Sequence, residues 1–212
     1  MSLLSAPAIV RHMEIGSIVI APFKTERLGT NSYDVELGHF FWRHAENGGV
    51  RRPSQGQYAF TKVDARQDGG IVLAPGERVL GHTVEIVGGQ TSWPAPRSAD
   101  PADLYRHEDG SITGLQVAVT TAMHAKSTAG RHGFTVCQCA GWGDVGYVSR
   151  WTMEIQNQLG CRQFLPIGAL LAQISFEQVE PPENDYVAGG GRYQVGDEWT
   201  PEAMLPGDLK IG

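Results

Sequence analysis

The chain has 212 residues, with 17 Lys plus Arg against 23 Asp plus Glu; its formal charge of −6 gives no global pull toward nucleic acid or an anionic membrane. This length suits one domain that buries a core without staples, and three cysteines, Cys137, Cys139 and Cys161, are too few and odd in number for a disulfide framework, which suits a reducing compartment such as the cytoplasm. No run of about 18 apolar residues is present, and the N-terminus lacks the basic and apolar regions of a signal peptide, so a soluble, cytoplasmic protein is expected.

With 27 Gly and 12 Pro, the texture favours turns and short strands over long helices. Residues 3–15 space Leu4, Ile9, Met13 and Ile15 helically, with Gly16 as the stop, and predict one short N-terminal helix. From Ser17 onward short apolar runs read as strands: 18–23, 32–42, 71–87, 117–125, 134–140, 151–157 and 169–179. Within 71–87, Pro75-Gly76 supplies a fixed φ followed by a permissive one, as a tight turn requires. Two stretches break the rhythm, 43–70 and 88–114, and are expected to be long surface insertions in a single domain spanning 1–212. The tail from Pro181 is again rich in Pro and Gly, and no internal repeat is visible.

The residues richest in chemistry run from Lys126 to Asn157. In WTMEIQN a two-residue period puts Thr152, Glu154 and Gln156 on one face and Met153 with Ile155 on the other, so a carboxylate projects from a strand. KSTAGR gathers the cations Lys126 and Arg131 around the hydroxyls of Ser127 and Thr128, with Ala129-Gly130 allowing close backbone approach. That composition suits a phosphate or, equally, a solvated polar turn. A zinc deaminase would need H-x-E followed by P-C-x-x-C. His44-Ala45-Glu46 offers the first half, but Cys137-Gln138-Cys139 lacks the preceding Pro and a third ligand, so no zinc is expected. His124 and His132 follow no ligand spacing.

KSTAGR, AGWGDVGY and WTMEIQN, in that order, resemble the motifs KSS-x-x-R, AG-[WF]-x-D-x-G-[FY] and TLE-[IL]-x-N of dCTP deaminases. GSIVIAPF, TNSYDVELG and LAPGERVLGHTVEIV before them, and LPIGALLAQISFE after them, are similar to the same family, so the resemblance covers most of the chain outside the two insertions.

The resemblance implies a mainly β, distorted β-barrel or jelly-roll (dUTPase-like) subunit in a homotrimer, with active sites between subunits. It implies metal-free deamination of a deoxycytidine nucleotide, dCTP to dUTP and ammonia, with Mg²⁺ sharing the phosphate charge. Glu154 would be the general base, Ser127 and the Ala140 carbonyl would hold the attacking water, and Arg131 would orient or polarise the site. Lys126 and Thr128 would contact phosphates. Asp144 would lie at the sugar, and Tyr147 would disfavour a 2′-hydroxyl. Trp142, Gln173 and Tyr186 join the substrate-binding set, and Arg192 matches a phosphate-binding Lys in the family's C-terminal lid.

Asp144 also stands where dUTPases carry a water-activating aspartate. This keeps open a bifunctional enzyme that releases pyrophosphate and dUMP, and a non-catalytic nucleotide-binding homologue is a further alternative. The chain departs from the family at Cys137 and Cys139, where His and Thr are usual; the Thr is associated with inhibition by dTTP, a control its replacement calls into question. Thr128 stands for Ser, and Gly143 replaces an apolar residue, which should loosen the turn holding Asp144 and so favours simple deamination. In the tail, Gly196 replaces a Gln, and Asp197 with Glu198 adds negative charge.

Overall fold

A computed structural model describes residues 2–45, 52–55, 59–92, 104–106, 112–114, 117–137, 140–194 and 198–207. Cys139, Gly196, Asp197, Glu46 and parts of both expected insertions lie outside them.

The chain begins with β1 (Ser2–Leu3) and then the helix α1 (Ala6–Glu14), so Leu3 belongs to a strand rather than to the predicted helix. Extended Ser5 caps the start, Pro7 sits in the first turn, and Gly16 ends the segment at φ 78°. Next come β2 (Ile18–Ala21), β3 (Ser32–Val35), β4 (Phe40–His44), β5 (Phe60–Asp64) and β6 (Gly70–Leu73). They are followed by β7 (Arg78–Gly89), β8 (Thr91–Ser92), β9 (Leu104–Arg106), β10 (Ile112–Gly114) and β11 (Val117–Ala125). After the one-turn helix α2 (Ser127–Arg131) run β12 (Phe134–Thr135), β13 (Trp142–Gly143), β14 (Val148–Asn157), β15 (Gln163–Pro166) and β16 (Ala172–Val179). A 3-10 turn, Pro201–Met204, closes the described tail.

One six-stranded sheet is ordered β1-β16-β11-β13, with β3 also on β16 and β8 also on β11; the other is ordered β12-β14-β7-β4-β5, with β2 also on β7. Two-stranded pairs β6–β15 and β9–β10 complete the set, and every pairing is antiparallel. The mainly β expectation therefore holds, whereas the barrel does not: among the described residues the ladders form open sheets, not a closed cylinder.

Both expected insertions carry strands, and one predicted strand differs in extent. The 43–70 stretch contains the end of β4 and all of β5, which pair in register from Phe40↔Asp64 to His44↔Phe60. The 88–114 stretch holds the end of β7, β8 and the β9–β10 pair. Of the predicted strand 134–140, Phe134–Thr135 is strand among the described residues, and 138–139 lie outside them. The Pro75-Gly76 turn is as expected, with Gly76 at φ 72° between β6 and β7.

The main core is built by alternation. Trp151, Met153 and Ile155 of β14 point into it with Val79 of β7, Tyr33 and Val35 of β3, and Ile174 and Phe176 of β16. The opposite face of β14, β7 and β4 is covered by the tail, where Trp42, Leu80 and Met204 make a second small apolar cluster with Trp199 and Leu205 packed on it. Trp42 Nε1 donates to the Pro201 carbonyl at 2.7 Å, and Lys62 pairs with Glu202 at 2.9 Å. Between the sheets, Arg27 bridges Glu36 and the fully buried Glu85. Glu85 Oε2 also accepts the Glu36 backbone N–H at 2.9 Å, so the buried carboxylate is both paired and hydrogen-bonded.

Candidate active site

Register places the chemistry. Glu154 is opposite Leu80, Thr152 opposite His82 and Gln156 opposite Arg78, so the outward face of β14 meets the outward face of β7 beneath the tail. A cavity of about 500 Å³ lies there. One wall carries Glu154, Ala140, Trp142, Asp144 and Tyr147; Tyr186 closes one side, and Trp199 and Met204 of the tail form the roof. Six residues expected from the sequence thus converge on one space.

The turn holding Asp144 is fastened from several directions. Gly146, at φ 94°, donates to the Gly89 carbonyl at 2.8 Å, and Tyr186 donates to the Val145 carbonyl at 2.7 Å. Tyr147 lies edge-on between Trp151 and Tyr186, at 5.1 and 5.3 Å between centroids. Burial, and then neighbouring Tyr186, raise the Tyr147 phenol above its ordinary pKa, so this hydroxyl stays protonated.

Gly143 does not loosen this turn, contrary to expectation. Its carbonyl accepts from Thr120 Oγ1 at 2.8 Å, and a Cβ at this position would collide with Thr121 Oγ1 and the Trp151 indole. Glycine is required here because β13 seats directly against Trp151.

Cys137 packs against the main core and donates to the Met123 carbonyl at 3.2 Å. Burial, and then the Glu154 charge, push its thiol up to about 11, so it is a packing group rather than a nucleophile.

Ser127, Arg131, Lys126, Thr128 and Gln173 are not among the residues lining the Glu154 cavity. Ser127, Thr128 and Arg131 stand exposed on α2. Lys126 is paired with Asp34 of β3, a partner the sequence did not suggest. Gln173, in register with Asp34, accepts from Ser32 Oγ at 2.9 Å. Arg192 lines an adjoining cavity of about 550 Å³ with Trp42, Tyr193 and Glu202.

The sequence reading missed Arg78, Arg150 and Trp199, all of which line the Glu154 cavity. Arg150 could have been found by stepping back from Glu154 with period two. Arg78 and Trp199 arrive through strand register and tail docking, which leave no local trace. Among the described residues no group of three or more His, Cys, Asp or Glu could hold a metal ion, and no helix is long and apolar enough to cross a membrane.

Comparison with known proteins gives a match to the dCTP deaminase-like family over residues 3–96 and 112–179. The chain is similar to the dCTP deaminase of Haloarcula marismortui, 27% identical over 217 residues, which span 99% of this chain and 98% of the relative. It is also similar to the dUMP-forming dCTP deaminase of Kocuria rhizophila, 30% identical, with 91% of this chain and 89% of the relative covered. Among solved structures, the fold is similar to that of the 2′-deoxycytidine 5′-triphosphate deaminase of Agrobacterium tumefaciens, with a TM-score of 0.53 at 19% identity. That match covers 84% of this chain, which spans about half (48%) of that structure's length.

Proposed function

Because this chain belongs to the dCTP deaminase-like family, we propose that it deaminates a deoxycytidine nucleotide by hydrolysis, converting dCTP to dUTP and ammonia. The observation that carries this reading is Glu154 facing a walled cavity shared with Ala140, Asp144 and Tyr147. Glu154 takes a proton from water as the oxygen attacks C4 of the cytosine ring, and delivers it to N3. The tetrahedral centre then gives its hydroxyl proton, through Glu154, to the departing amine, leaving a C4 carbonyl and ammonia.

General acid/base catalysis contributes about 10²–10⁴-fold, whereas enzymes supply roughly 10⁶ or more, so fixed donors must share the work. Ser127 and Arg131 are assigned that role with the Ala140 carbonyl. Since α2 does not line the cavity of its own chain, a second copy would bring these residues to it. The enzyme is accordingly proposed to act as a homotrimer, and Lys126 would exchange Asp34 for a phosphate. A magnesium ion accompanying a triphosphate would be held chiefly by the phosphates and would offset their charge.

A second reading, release of dUMP and pyrophosphate, is favoured by Asp144 lining the same cavity in a turn whose preceding glycine is firmly seated. Incubation with dCTP, dUTP, dCMP and dUMP, following ammonia and pyrophosphate, tests both. Ammonia from dCTP alone supports simple deamination, stoichiometric pyrophosphate supports the second reading, and neither product removes both. Sedimentation should give about 69 kDa, three times the 23.0 kDa chain; an active monomer would contradict the shared site.

A further inference from the structure

Two residues beyond Glu154 along the strand, the cavity is lined by a cation with no role assigned so far. Arg78 opens β7 opposite Gln156, on the same face as Glu154, and lines the same cavity. Antiparallel geometry puts such a diagonal neighbour about 7 Å from Glu154. Its guanidinium is exposed and, among the described residues, makes no hydrogen bond or ion pair. The neighbouring carboxylate that could have served it is engaged elsewhere, for Glu77 faces Arg43 at 3.4 Å and accepts from the Ala74 backbone at 2.8 Å. The nearby wall is the tilted ring pair His44–Phe60, 4.5 Å between centroids.

Position along β14 gives this cation its meaning. Asp144 and Tyr147 precede the strand, Glu154 lies within it, and Gln156 with Arg78 lies about 7 Å further on. On the proposed deamination reading, which this inference rests on, the sugar lies toward Asp144 and C4 lies at Glu154. The ring edge remote from the sugar, with C5 beside C4, then points toward Arg78. A hydrogen atom at C5 leaves the guanidinium without a partner, whereas an oxygen-bearing substituent would give it a charge-assisted hydrogen bond. We infer that Arg78 is a specificity-determining residue, extending the substrate class to deoxycytidine nucleotides that carry an anionic or hydrogen-bond-accepting group at C5.

Calorimetric binding of 5-carboxy-dCTP and 5-methyl-dCTP tests this, because the two fill the same position and differ in acceptor oxygens. Wild-type protein is expected to bind the carboxy nucleotide at least about tenfold more tightly, the span of one hydrogen bond to a charged group. Arg78→Leu should remove that preference, and Arg78→Lys should retain part of it. Equal affinities in wild type, or a preference that survives in Arg78→Leu, overturns the inference. So does an Arg78→Leu variant that weakens both nucleotides equally, since Arg78 would then be serving the phosphates. Ammonia release from the same nucleotides separates this from the broader reading. A binding preference without ammonia removes deamination and leaves Arg78 as a C5 reader, while ammonia without the preference does the reverse.

Discussion

The indole of Trp199 lies 4.6 Å, centroid to centroid, from the imidazole of His82, and this contact docks the C-terminal segment on the strand that faces Glu154. Arg150 approaches the same indole at 5.6 Å. Trp199→Ala should therefore unroof the cavity while leaving the main core untouched. The KM for the nucleotide is expected to rise at least about fivefold, with the melting temperature falling by no more than a few degrees. Steady-state kinetics beside a thermal melt checks this, and an unchanged KM would mean that the roof takes no part in binding.

The two carboxylates of the cavity should be separable. Glu154→Gln keeps the shape but cannot accept a proton, so ammonia release should fall by about 10²–10⁴-fold with nucleotide affinity largely retained. If the enzyme forms dUMP, Asp144→Asn should suppress pyrophosphate release more strongly than Glu154→Gln does. Turnover of Glu154→Gln within tenfold of wild type would remove its role as base.

Arg27 neutralises a carboxylate that water cannot reach, for Glu85 is fully buried. Arg27→Ala should destabilise the fold by roughly 3–5 kcal/mol, because it leaves that charge uncompensated. Adding Glu85→Gln should recover part of the loss. Denaturant unfolding of both variants measures it, and a loss for Arg27→Ala alone below about 1 kcal/mol would contradict the pairing.

His82 should make stability fall with acid. Its Nε2 accepts the Phe40 N–H at 3.3 Å while Nδ1 meets the Thr83 carbonyl at 2.8 Å, so the ring is neutral and carries its proton on Nδ1. Burial first, then His39 and Arg150, lower its pKa from 6.5 to about 4. Above 6.5 neither folded nor unfolded chain binds this proton; between 6.5 and 4 only the unfolded chain does, so stability is lost as pH falls through that window. The loss approaches about 3 kcal/mol for His82 by pH 4. Burial shifts His12 and His39 in the same direction. Unfolding free energies measured from pH 7.5 to 4.5 for wild type and His82→Gln should differ in slope, and parallel curves would exclude His82 as the source.

Much of the site was legible because local rules govern its parts. Period-two alternation fixed the face of Glu154, and the glycines around Asp144 marked a turn that the structure contains. Gly143 was misread because a glycine's use in close approach depends on Trp151, a neighbour that only folding supplies. The pairing of Lys126 with Asp34 joins residues 92 positions apart. Arg78 and Trp199 reach the cavity through register and docking. The open sheets were likewise beyond a reading of single strands, since closure depends on which edges meet.

The alternation of β14 has a further consequence for chain length. Positions 151, 153 and 155 belong to the interior, and 152, 154 and 156 to the cavity side. A one-residue insertion or deletion between them would exchange the two sets at a stroke, turning Glu154 inward and a large apolar side chain outward. Such indels should therefore be far less tolerated than any single substitution on the strand. The ladder with β7 already loses step between Arg150 and Thr152, so this irregularity is where β14 could absorb a change of length without moving the carboxylate.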